Sequence, residues 1–208
     1  LIRLDESISY VSAMPRPGLP DARDRLLAAG LHLFARRGAE RVNSNAIAKR
    51  ARLGVGTFYS HFPDKYALLR DIQARTLAAL QAARVEALRG AGTQPAQQVG
   101  AAARAAVRFA GTHPEAYRVT FGRERPSVAP GRHPIVSDSS RPVEEGLRRM
   151  QATGQLDAAL DPSLAARAYQ ATETGLILWW LEDQQRATPE ALVEILTRLH
   201  PALALGSR

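Results

Sequence analysis

The chain contains no cysteine. That excludes disulfide frameworks, thiol nucleophiles and Cys-ligated zinc or iron–sulfur centres, and it fits a reducing compartment. Aromatics make up only 6% of the 208 residues. No long alternating run of β-branched residues occurs either, so strands have little support and an all-α fold is expected. There is no apolar run of about 18 residues, and Leu1–Tyr10 lacks a basic segment leading into an apolar one, so no membrane partner and a soluble, cytoplasmic protein are expected.

Catalytic signatures are missing as well. His113, His133 and His200 each precede proline at a corner, and none has an H-x-x-x-H or H-x-x-E partner suited to a metal. The acidic pairs Glu144-Glu145 and Glu182-Asp183 are adjacent, so on a helix they diverge and cannot flank one substrate. Neither a Gly-rich phosphate loop nor a G-x-S-x-G elbow is present. An enzyme is therefore the weaker reading, with no metal or cofactor expected.

Leucine, alanine and arginine are abundant, and the formal charge is +8. A basic surface of this kind attracts a polyanion before any specific contact forms. The charge is concentrated: Asp21 to Arg70 holds ten bases against four acids, a net +6. Arginine richness alone reflects composition, since Lys49 and Lys65 are the only lysines; the clustering is the stronger signal.

Within that cluster, Asn43 to Lys65 predicts two short helices around a tight turn. Asn43 is placed to cap the first, on which Ile47, Ala48 and Ala51 share a face. Thr57, Tyr59, Ser60 and His61 fall on the second, with Phe58 and Phe62 on its inner face; Pro63 stops it and Asp64 can cap the next. Before this helix-turn-helix, a helix is expected from about Asp21 to Arg37, with Leu27, Leu31 and Phe34 on one face and Gly38 as its stop. After it come a long helix to about Arg89, an Ala-rich one over Pro95–Gly111 and a short one over Glu115–Arg123. Arg125–His133 reads as a loop, followed by helices from about Ser137 to Ala152, from an Asp161 cap to about Gln185, and from a Thr188 cap onward. The last carries a stripe of Leu192, Leu196, Leu199 and Leu203. About nine helices are expected, arranged as an N-terminal extension (1–20), a DNA-binding head (21–64) and a larger helical body (65–208). Met14, followed by Pro-Arg-Pro-Gly, is a candidate biological start.

Leu27-x-x-x-Leu31-x-x-Phe34-Ala35-x-x-Gly38, Ile47-Ala48-x-x-Ala51 and Gly56-Thr57-Phe58-Tyr59-x-x-Phe62-x-x-Lys65-x-x-Leu68-Leu69 resemble the first four helices of the TetR (tetracycline-repressor) family of bacterial transcription regulators. The resemblance covers about residues 21–70. It implies a homodimer that binds a palindromic DNA operator and is released by a small-molecule effector of unknown identity, most simply a repressor. Two positions depart from the family: Arg52 stands where glycine is usual, and Gly54 where a small polar residue is usual. Arginine is awkward at positive φ, so Gly54 is expected to absorb part of the turn's strain.

On DNA, Gly56 permits close backbone approach, Val55 can meet a thymine methyl, and Thr57, Tyr59, Ser60 and His61 can hydrogen-bond to bases or phosphates. Lys65 suits a phosphate as a point charge, and Ser44 and Asn45 match the family's phosphate-anchoring positions. Lys49, Arg50 and Arg52 are either solvated charge or nonspecific phosphate binders. The resemblance places dimerisation on the last two helices, through Leu164, Ala168, Ala171, Gly175 and Leu178 with Leu192, Leu196 and Leu199; the alternative is an ordinary core. An effector pocket is expected among Phe109, Tyr117, Arg118, Phe121, Tyr169, Gln170, Glu173 and Trp180, with Trp179, about 100° round the same helix, facing the partner. A rival from another class is a helical ligand-binding or adaptor protein with a weakened DNA-binding head.

Overall fold

The computed structural model describes residues 21–122 and 140–201. Outside them lie Met14, the Arg125–His133 stretch and Leu203. Among the described residues there are nine α-helices and no strand.

The first four helices follow their local signals closely. Helix α1 (Ala22–Arg37) opens on Asp21, whose carboxylate accepts from the Asp24 N–H, and stops at Gly38, where φ is 74°. Only glycine takes that conformation cheaply, so the helix ends there. Helix α2 (Ser44–Arg50) is capped by the Asn43 side chain, which accepts from the Ala46 N–H at 2.9 Å. Helix α3 (Val55–His61) ends at Phe62, before Pro63. Helix α4 (Lys65–Arg89) opens on Asp64, whose carboxylate accepts from the Ala67 N–H at 2.6 Å.

The remaining helices use proline in the first turn. Helix α5 spans Pro95–Thr112, α6 Pro114–Phe121, α7 Arg141–Ala152, α8 Pro162–Glu182 and α9 Pro189–Arg198. Asp161 and Thr188 cap α8 and α9 as their sequence patterns require. Helix α8 stops at Glu182, short of Gln185, because Trp180 Nε1 donates to the Ala187 carbonyl at 3.0 Å and holds the following turn back against the helix.

The packing forms two compact units. The head unit takes in residues 21–79 and 113–122, so it includes the start of α4 and all of α6. Leu26, Leu27, Ile47, Phe58 and Leu68 are fully buried in it. Each such side chain gains about 1.5–3 kcal/mol from leaving water, before ordering entropy is set against it. Gly30 matters for a specific reason: a Cβ there would run into Leu68 Cδ2, so α1 and α4 meet without a side chain between them. The body unit takes in residues 80–112 and 140–201. In it α9 packs along α5, and α8 packs on α7, α5 and α9. The contact border between the units thus falls inside α4.

Candidate nucleic-acid interface

The outward face of α3 is built by contrast with its inward face. Phe58 is fully buried and packs at a tilt against Phe62, with ring centres 6.0 Å apart, and edge-on to Tyr59 at 5.4 Å. One residue round, Tyr59 is 57% exposed, and Val55 is 42% exposed. Nothing lies within 4 Å of where a Cβ on Gly56 would sit, so the backbone there is open to close approach. Ser60 is exposed and its hydroxyl donates to the Gly56 carbonyl at 3.0 Å, which leaves its lone pairs outward. Thr57 and His61 are half-buried at the edges of the face.

A shallow recess of about 360 Å³ gathers Ser44 and Asn45 of α2, Tyr59 of α3, and Lys65. Residues from both helices of the motif therefore share one surface. Lys65 is anchored on the main chain: its Nζ donates to the Ala39 carbonyl at 2.8 Å and the Glu40 carbonyl at 3.1 Å. An ammonium has three N–H groups, so one is left for a phosphate. Beside it, Tyr66 OH donates to Glu40 Oε2 at 3.0 Å, which raises the phenol's pKa.

The turn between α2 and α3 overturns the expectation for Gly54. Arg52 has φ 55° and is the one non-glycine residue at positive φ among those described. Gly54 sits at φ −70°, ψ 151° as an ordinary helix N-cap, with no side chain to complete the cap. The strain is therefore carried by the arginine itself, at a cost of about 1–2 kcal/mol. Compensation comes from α1: one terminal guanidinium nitrogen of Arg25 donates to the Ala51 carbonyl at 2.6 Å and the Arg52 carbonyl at 3.1 Å. Leu53 N–H closes the turn on the Ala48 carbonyl at 2.9 Å.

Arg25 is a residue that sequence reasoning missed, having entered only as one charge of the basic cluster. Arg23 is another. It donates to Asp71 at 2.9 Å and to the His61 carbonyl at 3.5 Å, and its guanidinium lies 4.6 Å from the Phe62 ring centre. Arg75 bridges Asp24 and Asp71 at 3.4 and 3.5 Å. Arg23, Arg25 and Lys65 thus position the motif, whereas Arg36, Arg37, Arg41, Lys49, Arg50 and Arg52 are exposed. No signal in the sequence separates the two groups, because partners lie 25 to 48 positions away.

In the body unit a cavity of about 600 Å³ opens between α4, α5, α7 and α8. Of the residues expected at an effector pocket, Tyr169 and Glu173 line it. The other expected pocket residues do not. Phe109 and Trp180 are core, 7% and 4% exposed, and Trp180 spends its N–H on Ala187. Gln170 is turned to Thr174, donating at 3.1 Å. Tyr117, Arg118 and Phe121 lie on α6 in the head unit, where the Tyr117 and Phe121 rings pack at 4.6 Å. In their place the cavity brings in Arg84 and His200. Arg84 donates to both oxygens of Glu173 at 2.7 Å. The His200 ring packs edge-on to Tyr169 at 4.5 Å. Burial, with the Arg84 charge, pushes His200 down to about 4; burial and then the Glu173 charge raise the Tyr169 phenol well above its ordinary value. Both are neutral at pH 7.

The leucine stripe of α9 splits. Leu192 and Leu196 are 2% and 0% exposed, in the helix that packs along α5, so they are core and not an open face. Leu199 is 51% exposed and joins Ile195 at 48%. On α8, Leu164 is 67% exposed, Ala168, Ala171 and Gly175 are exposed, and Leu178 is half-buried. Trp179 is 43% exposed on that helix, its ring 5.5 Å from the Arg186 guanidinium. Among the described residues no helix is long and apolar enough to cross a membrane, and no group of three or more His, Cys, Asp or Glu is placed to hold a metal ion.

Comparison with known proteins bears on the head and the fold separately. Residues 26–72 match the model of bacterial regulatory proteins, tetR family. A 55-residue stretch is 44% identical to the HTH-type transcriptional repressor KstR of Rhodococcus jostii (strain RHA1), and spans 26% of each chain, about a quarter of that relative's length. Across most of the chain the fold is similar to the fatty acid degradation regulator FadR from Bacillus halodurans, with a TM-score of 0.75 at 16% identity, covering 88% of this chain and 97% of that one. It is also similar to SmeT, solved as a complex with triclosan, with a TM-score of 0.64 at 20% identity, covering 89% and 92%. The helix-turn-helix of residues 26–72 is thus similar to that of the tetR family of bacterial regulatory proteins, and it sits on an all-helical frame whose fold matches those solved structures.

Proposed function

We propose that the protein is a ligand-responsive transcription regulator, most simply a repressor, whose head unit binds a palindromic DNA operator as a homodimer. The observation that carries this reading is the division of α3 into a buried Phe58 and an outward face of Val55, Gly56, Tyr59 and Ser60. Such a face offers small and hydrogen-bonding groups to base edges and phosphates, while the exposed arginines nearby supply general affinity. Thr57, His61, Ser44, Asn45 and the remaining N–H of Lys65 complete the proposed contact set. The α3 helix carries no arginine to fork onto guanine, so sequence preference would rest on a few polar and methyl contacts together with DNA shape.

One head reads one half-site, so a two-fold dimer follows. Leu164, Ala168, Ala171, Gly175, Leu178, Ile195 and Leu199 are the proposed contact face, since Leu192 and Leu196 are spent on the core. The body-unit cavity is the proposed effector site, supported by its size and by the ligand held by a protein of similar fold, SmeT. A ligand can act only by binding the DNA-competent and incompetent states with different affinity. The protein would act in the cytoplasm, where the DNA is.

Recovery of genomic fragments on the purified protein, with competitor DNA present, tests the reading. The expected result is enrichment of a palindrome that Tyr59→Ala abolishes. Salt-sensitive binding with no sequence preference would sink it and leave a ligand-binding or adaptor role.

A further inference from the structure

The chemistry of the cavity's occupant can be read from its buried end, given the proposal that this cavity is the effector site. Glu173 is 2% exposed, and the Arg84 side chain 13%. Two charges so far from water are tolerable only because each neutralises the other. His200 and Tyr169 beside them are uncharged at pH 7. The walls are largely apolar, with Leu88, Val99, Leu147 and Met150 among them. The one further charged residue among the described lining residues is Arg149, which is exposed to solvent.

An anionic ligand reaching this end would compete with Glu173 for Arg84 and strand a buried carboxylate. A cationic one would compete for Glu173 and strand a buried guanidinium. Either way the gain at one partner is lost at the other, and the ligand's own hydration is given up as well. A hydroxyl, carbonyl or amide meets no such conflict, because a phenol and a neutral imidazole offer it both a donor and an acceptor. We infer that the cavity takes an uncharged, mainly apolar small molecule whose single hydrogen-bonding end faces Arg84, Glu173, Tyr169 and His200.

Octan-1-ol, octanoate and octylammonium share one chain and differ in head charge. Titrated into the full chain by calorimetry at pH 7, the alcohol is expected to bind about tenfold or more tightly than either ion. Equal or tighter binding of an ion, or no binding of the alcohol below about 1 mM, overturns the inference. Glu173→Gln removes the charge that balances Arg84 and should reverse the preference toward octanoate. The charge-neutral double variant Arg84→Gln/Glu173→Gln should keep the alcohol preferred, and it carries this arm if the single variant fails to fold; preference for an ion in that double variant also overturns the inference. Retention of genomic DNA is read separately. Its loss with the alcohol preference intact counts against the regulator reading alone, and the converse against the ligand class alone.

Discussion

Replacing Arg52 with glycine should stabilise the head. Arg52 holds φ 55°, which costs an L-residue about 1–2 kcal/mol that glycine does not pay. Glycine brings an opposing loss of roughly 0.5–1 kcal/mol, because its unfolded chain is freer. The Arg25 contacts go to backbone carbonyls and survive the change. The net gain is on the order of 0.5–1 kcal/mol, or about 1–4 °C in Tm for a chain of this size. Urea unfolding followed by circular dichroism, read as a change in midpoint at constant slope, measures it. Gly54→Ser is the companion. It sits at an N-cap with open space around the new side chain, so it should add a few tenths of a kcal/mol. If Arg52→Gly lowers the midpoint, or Gly54→Ser costs as much as a strained glycine site would, the strain of the turn does not reside at Arg52.

Three further outcomes follow from the same contacts. Tyr59→Ala should weaken the cognate operator by about 1–3 kcal/mol while sparing random DNA, as fluorescence anisotropy on both sequences would reveal; equal losses remove its specific role. Leu196→Ala should cost about 2–5 kcal/mol of stability, whereas Ile195→Glu with Leu199→Glu should leave folding intact and turn dimer into monomer in sedimentation velocity; the reverse pattern would restore the stripe as an interface. His200, held near 4 when folded, binds more protons unfolded than folded below its ordinary value of 6.5, so its contribution is fully present above 6.5 and fades as pH falls toward 4. The midpoint difference between the protein and His200→Gln should therefore shrink from pH 7 to pH 4.5, and a difference independent of pH would show that the imidazole is not kept neutral.

How far the sequence can be read depends on the distance over which each signal acts. Helix starts are written locally: Asn43, Asp64, Asp161 and Thr188 each cap the helix that follows them, and each is identifiable from its neighbours. Phe58 against Tyr59 is legible for the same reason, since one step along a helix turns a side chain by about 100°. What stays hidden depends on which surface is already occupied. Leu192 and Leu199 belong to one stripe in the sequence, yet α5 covers only the first. Aromatic residues suggest pocket lining, but large rings with apolar edges fill cores best, and Phe109, Tyr117 and Trp180 do so. Glu173 is named from the sequence as a pocket residue, but its partner Arg84 lies 89 positions away, on a helix whose periodicity gives it the look of a solvated charge.

Both clamps at the head, Arg25 and Lys65, grip main-chain oxygens: those of Ala51 and Arg52 in one case, Ala39 and Glu40 in the other. A carbonyl is present whatever side chain follows it. The grip is therefore indifferent to the lettering of the segments it holds, and mutation can rewrite the outer positions of α3 without loosening the frame beneath. Exchange of Val55, Thr57, Tyr59 and Ser60 as a cassette should move the protein from one DNA address to another while its melting behaviour barely changes, which makes this head a chassis for new specificities.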